Sequence, residues 1–143
     1  MKAISLHQPW ASAVAFGVKT IETRGWRTNH LGPIAIHAAK RKTPGQCGIY
    51  KYLIATHDDI LLAFSEQMIA FEFDDLPFGA VIATAQIRAV GNMSFLDLEK
   101  LSDAELALGD YSAGRFFWKL TDVVKLQKPI PAIGHQGFFN VEL

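Results

Sequence analysis

The densest group of chemically capable side chains lies in the stretch GVKTIETRGWRT, residues 17–28. It places three cations and one carboxylate around a tryptophan: Lys19, Glu22, Arg24, Arg27 and Trp26. On a β-strand alternate side chains share a face, so Glu22, Arg24 and Trp26 point one way and Lys19 the other. An indole beside guanidinium groups is typical of proteins that bind single-stranded nucleic acid. A solvated strand edge with a surface ion pair explains the same residues.

A second basic run, HAAKRK, occupies residues 37–42 at the end of a predicted strand. Lys40 and Arg41 either contact phosphate or are merely solvated. Because the run follows soon after the first basic stretch, it can extend the same positive face. His37 is a candidate general acid or base near neutral pH, or a core or rim histidine that makes one hydrogen bond.

A third polar group follows in LGDYSAGRFFW, residues 108–118. Asp110, Tyr111, Ser112 and Arg115 frame a turn of small residues, and exposed loops of this kind often contact ligands. Arg115 suits bidentate binding of a phosphate or carboxylate. The alternative is a capping turn in which Asp110 and Ser112 satisfy the local backbone. No G-x-S-x-G pattern surrounds Ser112, so a serine-hydrolase elbow is not predicted.

The charge of the 143-residue chain is zero overall but unevenly distributed. Residues 1–51 carry eight Lys or Arg and one acidic residue, a formal charge of +7, and residues 52–143 carry −7. The positive portion favours a phosphate-bearing partner, unless the two portions simply attract each other in the fold. The zero net charge of the whole chain argues against tight non-specific binding of nucleic acid. A small ligand or a short single strand in a local cleft fits better.

Several classes of function are not predicted. The five histidines are isolated and show no metal-ligand spacing, and the glycines form neither a Walker loop nor G-x-G-x-x-G, so we expect no metal and no cofactor. Cys47 is the only cysteine, which excludes an internal disulfide. The apolar runs are too short and interrupted to cross a bilayer, and no secretory apolar core follows the N-terminus. The expected location is the cytoplasm.

The elements that must position these residues alternate irregularly between strand and helix. Strands are predicted over residues 2–7, 19–27, 34–40, 80–91, 115–126 and 137–143. Helices are predicted over residues 8–17, 49–71 and 98–109, with Asp58 or Asp59 capping a second helix inside 49–71 and Ser102 capping the third. Residues 41–48 are predicted to be a loop. The pattern indicates one α+β domain, residues 1–143, on a mixed or barrel-like sheet.

The segment SLHQPWASAVAFGVKTIETRGWRT, followed by GPIAIHAAK, resembles the ASCH domain family. The family hallmark is Gly-x-Lys-x-x-Glu-x-Arg after the first helix, here Gly17, Lys19, Glu22 and Arg24. The resemblance spans nearly the whole chain. It implies a PUA-like fold, a small mixed β-barrel with flanking helices and a cleft beside the motif. It further implies binding of RNA or modified nucleosides, and in some members ribonuclease activity.

A smaller branch of the family hydrolyses the acetyl group of N4-acetylcytidine with a lysine, a threonine three positions later and a downstream glutamate. Lys19 matches the lysine, but Glu22 occupies the threonine position and Thr23 lies one step on. Glu105 and Asp110 are both candidates for the downstream acid. Any hydrolysis here would use Glu22 to activate water and Lys19 to stabilise the oxyanion.

Two functions therefore stay open. As a binding module, the chain would stack a base on Trp10 or Trp26 and contact phosphates through Arg24, Arg27, Lys40 and Arg41, with His37, Asp110 and Arg115 completing the cleft. As a metal-independent ribonuclease it would use Lys19 and Glu22, with either Tyr111 or Ser112, in acid, base and charge-stabilising roles. As an amidohydrolase it would release a small acyl group from a modified cytidine.

Overall fold

The computed structural model describes residues 1–68 and 72–143, whose strands form one six-stranded sheet. The strands are β1 (Lys2–Leu6), β2 (Ile21–Arg24), β3 (Gly32–Ala38), β4 (Ala80–Asn92), β5 (Phe116–Pro131) and β6 (Phe139–Asn140). Their order is β2-β5-β4-β3-β1-β6, with β1 and β3 parallel and every other pair antiparallel. The α+β class is confirmed. The closed barrel is not, because the sheet ends at β2 and β6 within the described residues.

In the described residues, four α-helices accompany the sheet: α1 (Trp10–Ala15), α2 (Pro44–Thr56), α3 (Asp58–Gln67) and α4 (Asp103–Ala107). The predicted loop over 41–48 is wrong from Pro44 onward, because Thr43 caps α2 by accepting the N–H of Gln46. The predicted aspartate cap is also wrong: His57 precedes α3 and the aspartates fill its first turn. Ser102 caps α4 as predicted. No helix in the described ranges has the length and apolarity needed to span a bilayer.

The core lies on both sides of α1. Between α1 and the sheet it is built from aliphatic side chains and the fully buried Trp118, and on the other side α1 meets α2, α3 and α4. Of the predicted helical core, Ile60 and Phe64 are buried, Met68 packs at the periphery and Leu61 is largely exposed. Phe71, also predicted to be core, lies outside the described residues.

The turn from α1 into β2 determines how the hallmark residues are oriented. Gly17 has a φ of +82°, a left-handed conformation that glycine adopts without penalty, and it ends α1 as predicted. The chain reaches β2 only at Ile21, so strand alternation does not govern Lys19. Trp26 likewise lies beyond the strand. The predicted strand over 19–27 is therefore shortened at both ends.

At the other end of the chain, β5 continues to Pro131 through the predicted bend at residues 128–132. The predicted closing strand over 137–143 shrinks to Phe139–Asn140, which pairs with the start of β1. The segment between β5 and β6, residues 132–138, then crosses the end of the sheet beside β1 and β3. That crossing creates one wall of the site described next.

Candidate functional site

Two adjoining cavities open beside the hallmark residues. The smaller, of about 410 Å³, lies between β2, the start of α1 and the loop after α4. The larger, of about 1270 Å³, lies between the ends of β1 and β3 and the chain from Pro131 to Gly137. Ser5, His7 and Arg24 line both cavities, so the two form one continuous surface.

Glu22 and Arg24, both on β2, line the smaller cavity together with Trp10 at the start of α1. The Glu22 carboxylate accepts the N–H of Thr23 at 2.8 Å and lies 3.8 Å from Arg24 Nη2. Arg24 Nη2 donates to the Ser5 carbonyl at 3.0 Å, which ties β2 to β1. Arg24 Nε is buried and has no hydrogen-bond partner among the described residues. The structure thus brings three predicted site residues together.

The larger cavity is positively charged. Its charged lining residues are Arg24, Lys40 and Arg41, and no carboxylate contributes to its wall within the described residues. Trp26 lines the same cavity with 37% of its surface exposed. Its ring is held edge-on against Trp118, with centroids 4.8 Å apart, and against Phe138 at 5.5 Å. A fixed indole and three cations therefore face one space.

His37 lines the larger cavity but has both ring nitrogens engaged. Nε2 lies 2.8 Å from the Ala132 carbonyl and Nδ1 lies 2.9 Å from Ser5 Oγ. Since a carbonyl only accepts, Nε2 carries the proton, and in the neutral ring Nδ1 accepts from the serine hydroxyl. A Cβ on Gly134 would fall 2.6 Å from His37 Cε1, so the backbone packs directly on the ring. His37 anchors the far wall of the cavity.

That far wall was not predicted from the sequence. Residues 131–137 supply it, in a segment that begins at the end of the predicted bend over 128–132 and reaches the start of the predicted closing strand. His7 and Ser5 were also missed. Their only available sequence signal is their position in the segment that carries the family resemblance.

Lys19 does not line either cavity. It is 1% exposed, and its Nζ donates to the Ile21 carbonyl at 2.6 Å. Burial lowers the pKa of Lys19 below its usual 10.5, an effect that the negative charges of Glu22 and Glu105 oppose. The lysine therefore stabilises the turn into β2 from inside the protein.

The lowered pKa of Lys19 predicts a pH dependence of stability. Between the lowered value and 10.5 the unfolded chain binds more protons at this lysine than the folded protein does, so the free energy of unfolding rises with pH. We expect the stability of the parent relative to Lys19→Met to increase as the pH rises toward 10.5. Urea denaturation of both proteins at several pH values measures this difference, and a flat difference would contradict the prediction.

Glu105, one of the two candidate downstream acids, is engaged in hydrogen bonds to the backbone. Its carboxylate accepts the N–H groups of Thr20 at 3.0 Å and Ile21 at 2.9 Å, and the Thr20 hydroxyl at 3.1 Å. Tyr111 donates its hydroxyl to the same carboxylate at 3.4 Å. Burial, followed by the charge of Glu105, raises the pKa of Tyr111 well above its usual range. Tyr111 does not line either cavity.

The turn around Ser112 is the capping turn that the sequence allowed. Asp110 accepts the N–H of Ser112 at 3.1 Å and its hydroxyl at 2.6 Å, which lowers the pKa of Asp110. Arg115 lines the smaller cavity, but its Nη2 donates to the Thr23 carbonyl at 2.9 Å. Ser112 and Arg27 are exposed and line neither cavity.

The chain matches a known protein family over most of its length. A family model described as ASCH domain matches residues 4–130. The chain is 44% identical over 43 residues to human activating signal cointegrator 1 and 48% identical over 42 residues to the mouse protein of that name. These matches cover 30% and 29% of this chain but 7% of each relative, so the chain spans a small part of their length.

Among solved structures, ASCH from Zymomonas mobilis is 20% identical, with 91% of this chain and 72% of that chain covered and a TM-score of 0.48.

Proposed function

The chain belongs to the ASCH domain family, and from this premise we propose that it binds single-stranded RNA across the two adjoining cavities. The observation that carries the proposal is the larger cavity, whose wall holds an exposed indole and three cations and no carboxylate within the described residues. Cations bind the phosphates that every strand carries, and an aromatic ring stacks on any base. Unpaired bases are accessible only in single strands.

Neutrality of the whole chain fits this proposal. Thirteen of the fourteen acidic residues follow residue 51, and none of them contributes to the wall of the larger cavity. The attraction for phosphate is therefore local rather than global. Binding to a short strand is expected to be modest and strongly dependent on salt.

Hydrolysis receives less support from the geometry of the described residues. Lys19 donates to a backbone carbonyl and lines neither cavity. Of the two candidate downstream acids, Glu105 is held by the backbone N–H groups of Thr20 and Ile21, whereas Asp110 lines the smaller cavity. The lysine and the downstream acid that the amidohydrolase branch uses therefore do not meet at the cavity wall. We propose a binding module rather than an enzyme.

The experiment is a salt titration of RNA binding. We expect a fluorescently labelled single-stranded RNA to bind with log K falling against log[salt] at a slope of about −2, because about three phosphates contribute about −0.7 each. Replacing Lys40 and Arg41 by alanine together should reduce the slope to about −0.7. Fluorescence anisotropy at increasing NaCl measures both slopes.

The matched control replaces Lys125 and Lys128 on β5, two exposed lysines that line neither cavity. It removes the same charge and should leave the slope nearly unchanged. An equal reduction in both double variants would contradict a local site. Gel analysis of the same RNA, with and without EDTA, tests the alternative function. Fragments that accumulate with time would show that the protein hydrolyses RNA.

A further inference from the structure

The two cavities differ in charge. The larger is lined by Arg24, Lys40 and Arg41 and by no carboxylate in the described part of the chain, whereas the smaller balances Arg24 and Arg115 with Glu22 and Asp110. A phosphate is attracted to the larger cavity, while in the smaller one it would meet two carboxylates. A strand that crosses both cavities therefore places its phosphates in the larger one. The smaller cavity is left for an uncharged part of the strand, which is a base.

The smaller cavity suits a base in size and composition. Its volume of about 410 Å³ lies within the range of small-molecule sites, roughly 300–1000 Å³. Trp10 belongs to its lining together with Leu6 and Leu108, two leucines that are almost fully buried.

Glu22 is the group that would distinguish one base from another there. A carboxylate accepts hydrogen bonds and donates none. One Glu22 oxygen accepts the N–H of Thr23, and the other lies 3.8 Å from Arg24 Nη2, beyond hydrogen-bond distance. The side chain is 11% exposed and lines the cavity, so acceptor capacity is left for a ligand.

Bases differ in what they offer to such an acceptor. Cytosine, adenine and guanine carry an exocyclic amino group, and glutamate is a natural partner for the cytosine amino group. Uracil carries the carbonyl oxygen O4 in place of the cytosine amino group and keeps only N3–H as a donor on that edge. An oxygen placed where the amino group would donate is repelled by the carboxylate. We propose that the smaller cavity holds one base with an exocyclic amino group, which Glu22 selects against uracil, while the adjoining phosphates lie in the larger cavity. This inference rests on the proposed function.

The test compares two pyrimidine strands that differ little in size. We expect a labelled cytidine pentamer to bind about fivefold to tenfold more tightly than a uridine pentamer, the range of one additional hydrogen bond. In Glu22→Gln the ratio should fall to about twofold or less, because the amide can donate to the uracil carbonyl. Glu66→Gln, an exposed change that touches neither cavity, should leave the ratio unchanged.

A second measurement uses the unaltered protein, so it does not depend on the folding of a variant. A pentamer of the cytosine analogue that lacks the amino group should bind more weakly than the cytidine pentamer, because it cannot donate to Glu22. Three results would each overturn base selection and leave RNA binding intact. They are equal affinity for the cytidine and uridine pentamers, a cytidine-to-uridine affinity ratio that is unchanged in Glu22→Gln, and full affinity for the analogue. Failure to bind any of these strands, or a longer mixed strand, would instead overturn the proposed function.

Discussion

Glu105→Ala is expected to lower the free energy of unfolding by about 3–5 kcal/mol, the loss typical of a buried charge removed from its partners. The change leaves the buried N–H group of Ile21 and the partly buried N–H group of Thr20 without an acceptor, and a buried unsatisfied group costs about 1–3 kcal/mol. It also removes one of the two carboxylates beside the buried Lys19. Urea denaturation followed by circular dichroism measures the effect.

Two variants make the Glu105 prediction specific. Glu105→Gln keeps one acceptor oxygen and should be less destabilising than alanine. Glu99→Ala removes an exposed glutamate nearby in sequence and should change the free energy of unfolding by less than about 0.5 kcal/mol. Equal losses in Glu99→Ala and Glu105→Ala would show that the carboxylate does not hold β2 as described.

Arg24→Ala is expected to weaken RNA binding by a factor of about 30 to 150, or about 2–3 kcal/mol, the size of a strong interface contact. Arg24 lines both cavities, and its guanidinium carbon lies 5.9 Å from the centroid of the Trp118 ring. Its buried Nε has no hydrogen-bond partner in the part of the chain that the structure describes, so a donor is left for a ligand. Fluorescence anisotropy with the strand used for the salt titration measures the loss.

The control for Arg24 is Arg88→Ala. Arg88 is an exposed arginine on β4 that pairs with Asp122 and lines neither cavity. Its replacement by alanine removes the same positive charge as Arg24→Ala does. Its loss should change affinity less than about threefold, the effect of a distant surface charge. Arg24→Lys separates charge from shape: it should lie between the parent and alanine, because an ammonium cannot reproduce the planar guanidinium. Arg24→Ala binding as well as Arg88→Ala would contradict a central role for Arg24.

Local patterns in the sequence predicted much of the fold. Alternation located β4, and the Ser102 cap located α4, because both signals depend on neighbouring residues. The start of α2 was missed because Gly45 and Gly48 are poor helix formers, although Thr43 and Pro44 form a typical helix start. The order of the strands depends on contacts between distant residues, which periodicity does not encode.

The site was predicted in part for the same reason. Glu22 and Arg24 share a strand face, so alternation was enough to bring them to the same cavity. Lys19 was expected to act beside them, but the turn before Ile21 directs it inward. Glu105 binds Thr20, 85 residues away in sequence, and His37 binds Ala132, 95 residues away. No sequence pattern links residues so far apart, so these two roles could not be predicted.

The motif and the far wall of the larger cavity come from different parts of the chain, and this separation has an evolutionary consequence. The Gly-Lys-Glu-Arg motif lies in one part of the chain, while residues 131–137, near the other end, complete the larger cavity. Insertions or deletions in that late segment would resize the cavity without altering a single residue of the motif. Relatives that share the motif can therefore diverge in the length and bulk of the guest they accept, and the late segment is where that divergence should be sought.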